Sequence, residues 1–197
     1  MHYTADQTFS SNFLANTALN VPAGTVDGDL LIIYIADNGS NAHSISGGGW
    51  TEEHNVAYVG QRVSVWWKIA TASEPASYTV NATPFQWTRC SMSRIANQNA
   101  VTPVQTKAAV QSAGGVSTLV APTLTALADE LLISFLAIRY PSSAAVVPPG
   151  MTLAVAQQSS SGCCVAVEDV GVGATGTRTW NWSGSNPAVV FQMFIQS

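Results

Sequence analysis

Apolar residues in this chain come in short, dense runs and not at helical spacing. Residues 29–37, DLLIIYIAD, form a nearly continuous run rich in Ile and Leu. Such a run predicts a central strand buried on both faces. Residues 130–139, ELLISFLAIR, read the same way. Residues 61–70, QRVSVWWKIA, alternate more cleanly. Val63, Val65, Trp67 and Ile69 point one way, toward the expected core, and Arg62, Ser64, Trp66 and Lys68 point the other. Shorter strand-like runs fall at 77–83, 163–170 and 177–183, with closing strands at 86–95 and 188–196. Turn chemistry separates them: Pro22-Ala23-Gly24, Gly47-Gly48-Gly49 and Pro148-Pro149-Gly150 supply fixed φ or tolerate φ > 0. Helical periodicity with caps is absent. The expectation is an all-β chain.

The strand pattern repeats. Asp29-Leu30-Leu31-Ile32 matches Glu130-Leu131-Leu132-Ile133, and Tyr34-Ile35-Ala36 matches Phe135-Leu136-Ala137, each pair 101 residues apart. Gly49-Trp50-Thr51 matches Gly150-Met151-Thr152 at the same spacing. A slip to 102 pairs Val63 and Val65 with Val165 and Val167, and Tyr78 and Val80 with Trp180 and Trp182. Near the end the spacing of 101 pairs Cys90 and Met92 with Phe191 and Met193. Two diverged copies, about 20–96 and 117–197, are expected, joined by a strand with turns. Each supplies only four or five recognisable strands, few for a closed sandwich. The expectation is therefore one domain, 1–197: a jelly-roll-like antiparallel β-sandwich whose sheets draw strands from both copies. Two small tandem β domains are the alternative.

Composition sharpens the picture of the surface. Only 9% of the 197 residues are charged, against an average near 25%. Ser, Thr, Asn, Gln, Gly and Ala must then cover the exterior, with little charge to keep molecules apart. Net charge is −4, and the seven basic residues are scattered, so binding of nucleic acid through its phosphates is not expected. The first twenty residues carry neither a basic region nor a long apolar run, so no signal peptide is expected. No stretch reaches the roughly 20 apolar residues of a membrane span, and no membrane association is expected. Three cysteines, Cys90, Cys163 and Cys164, show no metal-ligand spacing and read as buried free thiols in a chain assembled in a reducing cytoplasm.

No motif carries catalysis. The acidic pairs Glu52-Glu53 and Glu168-Asp169 are adjacent, so on strands their members point to opposite faces and make no ready dyad. Asp29, matched by Glu130, reads as a strand-edge acid and not as a calcium ligand. No catalytic residue, metal site or cofactor is expected. Aromatic side chains give the one binding signal. Trp67, Trp50, Trp180 and Trp182 belong to the core by face and by match. Trp66, Trp87 with Arg89, and Tyr140 are the candidate interface or ligand contacts, because an outward indole beside an arginine suits sugar stacking or a protein anchor.

The strings VPAGTVDGDLLIIYIAD, GGGWTEEH and VSVWWKIATASEPASYTV resemble a pattern found in structural proteins of tailed bacteriophages. There it belongs to jelly-roll-like domains of capsid decoration (cement) proteins and tail-associated proteins. The likeness covers residues 20–95 well and the second copy loosely, and its motifs are turn and core positions. It implies a non-enzymatic virion protein. A decoration protein that bridges major capsid protein subunits, commonly as a trimer, fits this compact unit better than a tail fibre does. A tail, receptor-binding or carbohydrate-binding module is the alternative. On the same reading, the polar residues 1–20 would reach the shell or a neighbouring protomer.

Overall fold

A computed structural model describes residues 2–12, 16–82, 87–99, 101–139, 144–158 and 161–196, with the backbone alone for 2–12, Ala113, Gln157, Gln158 and Ser161. Among them every regular element is a strand, in several antiparallel sheets. The chain divides into two compact units, residues 2–100 and 101–197.

The first unit holds β1 (His2–Asn12), β2 (Asn16–Asn20), β3 (Leu30–Asp37), β4 (Ser44–Ile45), β5 (Thr51–Tyr58), β6 (Gln61–Ile69), β7 (Ser77–Asn81) and β8 (Thr88–Ala96). A five-stranded sheet runs β1-β8-β3-β6-β5, and a smaller one runs β2-β7-β4. The second unit holds β9 (Val104–Ala121), β10 (Thr125–Ala126), β11 (Glu130–Arg139), β12 (Thr152–Gln158), β13 (Ser161–Val170), β14 (Gly173–Ala174) and β15 (Arg178–Gln196). Its large sheet runs β12-β13-β11-β15-β9. Read from the other edge, this is the order of the first unit, with β9 in the place of β1 and β15 in the place of β8.

Every described pairing stays within one unit, so the sheets shared between halves that the sequence suggested do not form. The count of strands explains why. Each unit has seven or eight, not four or five. Residues 2–12 and 16–20, too polar to read as strands, pair with β8 and β7 respectively. Residues 104–121 form one long strand, and a Cβ on Gly115 would stand 2.1 Å from Ser185 Oγ.

The central strands are as apolar as their sequence. All eight residues of β3 are buried, and burying each large aliphatic side chain contributes about 1.5–3 kcal/mol. In the first unit Leu31, Ile33, Ile35, Cys90 and Met92 meet Leu19, Tyr78 and Val80 of the smaller sheet. In the second, Leu136, Ile138, Cys164, Ala166 and Val190 meet Trp180 and Trp182, both buried as expected. Trp50 and Met151 pack against these two clusters.

Register corrects part of the repeat alignment. Ile33 lies opposite Met92 and Trp66. Its match Ser134 lies opposite Gln192 and Ala166. Met92 therefore corresponds to Gln192, and Cys90, opposite Ile35, to Val190, opposite Leu136. The expected partners Phe191 and Met193 are one residue away, on the other face of the sheet. Likewise Val65 corresponds to Val165, two residues before the expected Val167.

Candidate functional site

The proposed contact residues fall in different surroundings. Trp66 does not face outward. It packs against the first unit's core cluster, on the side of β6 that also carries the buried Ser64 and Lys68. Polar residues occur on that inner side because each has a partner there. Trp67 is half-buried and donates Nε1–H to Glu53 Oε2 at 3.0 Å. Trp87 is 39% exposed, and the Arg89 guanidinium carbon lies 5.0 Å from its ring centroid. Arg89 itself is buried, with Nη1 donating to the Thr88 carbonyl. The structure thus brings Trp87 and Arg89 together as a cation-backed indole. Tyr140 lies outside the described residues.

Two polar clusters in the first unit were not singled out from the sequence. In one, His43 Nδ1 lies 2.7 Å from Ser64 Oγ. His43 Nε2 lies 3.2 Å from Asp37 Oδ2, off the line of a formed hydrogen bond. The order Asp–His–Ser is that of a nucleophilic triad. A triad needs room for a reacting carbon beside the nucleophile. Here Asp37, His43 and Ser64 are 1%, 2% and 0% exposed. Closed off in this way, the trio ties the 38–43 loop to the sheet. Asn55 completes the tie by pairing its amide with both the N–H and the carbonyl of His43, and Arg62 donates to Asn55 and to the Ser40 carbonyl. Asp37 ends an otherwise apolar buried strand, and that was the available signal.

The second cluster sits under the Gly47–Trp50 turn. Lys68 Nζ lies 2.8 Å from Glu74 Oε1 and donates to Tyr78 Oη at 2.8 Å. Tyr78 donates in turn to Glu74 Oε2, and the Thr71 N–H donates to Glu74 Oε1 at 2.8 Å. Trp50 stands edge-on to Tyr78 at 5.1 Å. Burial alone would lower Lys68, but its bonds to Glu74 and Tyr78 outweigh burial and raise it. Burial would raise Glu74, but bonds from Lys68, Tyr78 and Thr71 outweigh it and hold the carboxyl below its ordinary value. Tyr78 is raised, by burial first and then by its bond to Glu74. Ammonium and carboxylate thus stabilise each other's charge, an arrangement that locks the 71–78 loop onto β6.

Several other charges also have internal partners. Arg94 Nε donates to Asp29 Oδ2 at 2.6 Å. Arg178 grips Glu168 with two bonds, at 2.7 and 3.0 Å. Asp29 accepts the Val26 N–H, and Glu130 accepts the Leu127 N–H in the matching turn, as strand-edge acids should. Glu52 accepts from Asn55. The three cysteines are free and buried. Among the described residues, no three His, Cys, Asp or Glu side chains gather closely enough to hold a metal ion. Comparison with known proteins returns no matching family model, no matching curated protein and no matching solved structure.

Proposed function

We propose that the chain is a non-enzymatic structural protein of a virus particle, a capsid decoration protein that stabilises the head by bridging shell subunits, and that its two units are diverged copies of one jelly roll. The common strand order supports the duplication. So does a bulge at the same place in both outer strands, between Glu52 and His54 and between Leu153 and Val155. The jelly-roll reading is supported by the order β1-β8-β3-β6-β5 over β2-β7-β4, in which the chain passes from one sheet to the other at every step but the β5–β6 hairpin.

One observation carries the functional reading beyond the resemblance. In a chain with few charges, Arg62, Lys68, Arg94 and Arg178 each commit their head groups to internal partners, and Arg89 is buried. That leaves a polar, weakly charged exterior suited to lasting contact with neighbours. The mechanism is mass action: a protein that binds only the expanded shell stabilises it, and several modest contacts per oligomer supply avidity. The test is co-sedimentation with expanded capsids encoded alongside it. Pelleting with the shell and a raised shell melting temperature are expected; a chain left in the supernatant at saturating concentration overturns the reading.

The cation-backed Trp87 favours a second reading, a carbohydrate-binding module of a tail. Glycan-array binding that is lost in Trp87→Ala, with the shell ignored, would establish it instead.

A further inference from the structure

The two units differ most sharply at the centre of their cores. In the first, the central rung of the large sheet reads Met92–Ile33–Trp66. In the second, the same rung reads Ala108–Gln192–Ser134–Ala166. Two apolar side chains have become polar, and a tryptophan has become an alanine. Trp180, matched to Tyr78, points its Nε1–H at Ser134 Oγ at 2.9 Å. Gln192, Ser134 and Trp180 are all 0% exposed.

Ser134 is thereby accounted for as an acceptor, but Gln192 is not. An amide offers two N–H donors and an acceptor oxygen with two lone pairs. Neither Gln192 Nε2 nor Oε1 has a hydrogen-bond partner among the described residues. Its neighbours along β15 on the inner side are Val190 and Phe194, and those along β11 are Leu132 and Leu136, none of which offers a side-chain partner. A buried amide left in that state is costly, and native proteins meet such groups with ordered water. The alanines on both flanks of the rung remove side-chain volume beside it.

We propose that the core of the second unit contains a built hydration site in which internal water bonds to the Gln192 amide and accepts the Ser134 hydroxyl proton. The site is specific to the second unit, because methionine and isoleucine replace both polar groups in the first. Water is the occupant by chemistry: alanines flank the rung on both sides, and the amide requires a partner that both donates and accepts.

The test uses the full-length wild-type chain. Water–protein cross-relaxation measured by NMR should show a long-lived water at the Gln192 side-chain NH2, and a high-resolution crystal structure should show ordered density within about 3.2 Å of the amide. In Gln192→Met, which installs the first unit's residue, both signals should vanish while the Trp180–Ser134 bond persists. Absence of water at Gln192 in the wild type, or water that remains unchanged in Gln192→Met, overturns the proposal. The wild-type measurement stands even if the variant fails to fold.

Discussion

Lys68 and Glu168 stand at the same register position of the two units and carry opposite charges. Lys68 lies opposite Leu31, and Glu168 opposite Leu132. Each sits beneath a positive-φ glycine of the turn that leads into the outer strand, β5 or β12: a Cβ on Gly49 would stand 3.8 Å from Lys68 Cε, and one on Gly150 3.2 Å from Glu168 Oε1. Each pairs with a residue beyond the end of its strand, Glu74 ahead of β7 or Arg178 at the start of β15. The corner keeps its ion pair while the sign is exchanged.

The two pairs should differ in strength. The side chains of Lys68 and Glu74 are 8% and 6% exposed, and those of Arg178 and Glu168 are 14% and 20% exposed. Removing one member of a buried pair strands the other, at about 3 kcal/mol or more. Lys68→Met should therefore lower the urea midpoint by that equivalent. Glu168→Gln keeps its shape and should cost about 1–2 kcal/mol. Equal losses would show that the first cluster is solvated.

The same cluster sets a pH dependence. Glu74 is lowered on folding, so its contribution is present at neutral pH and is lost as pH falls below the ordinary carboxyl range and through its folded value. Lys68 and Tyr78 are raised, so theirs is complete below about pH 10 and is lost as pH rises through their folded values. Thermal melts across pH should fall at both ends. In Glu74→Gln the Glu74 part of the acid limb should disappear.

Residues 2–12 form an edge strand of the first unit's large sheet. Because β1 pairs along β8, truncating 2–12 should lower the melting temperature of the first unit before any question of shell binding arises. An unchanged melt with lost particle binding would show that the segment serves the shell contact expected from the sequence and not the stability of the sheet.

Burial should silence the thiols. A thiol-reactive chromophore such as DTNB should leave Cys90, Cys163 and Cys164 untouched in the folded protein and titrate all three in denaturant. Fast native-state labelling of Cys163 or Cys164 would mean that β13 opens.

What sequence alone determined was element type and the central strands. Continuous apolar runs at 29–37 and 130–139 leave no alternative to buried strands, and Gly49 and Gly150 mark the same turn at the repeat spacing. The tertiary structure decided register, face and pairing partners. Both sides of β3, β11 and residues 188–195 of β15 are buried, so their apolar pattern does not alternate and cannot say which side is inner. A slip of one residue near Cys90 was invisible until hydrogen bonding to β3 fixed it. For the same reason Trp66 reads as outward and packs inward, and His43, Asp37 and Ser64, distant in sequence and unremarkable apart, meet only because three segments converge on one buried corner.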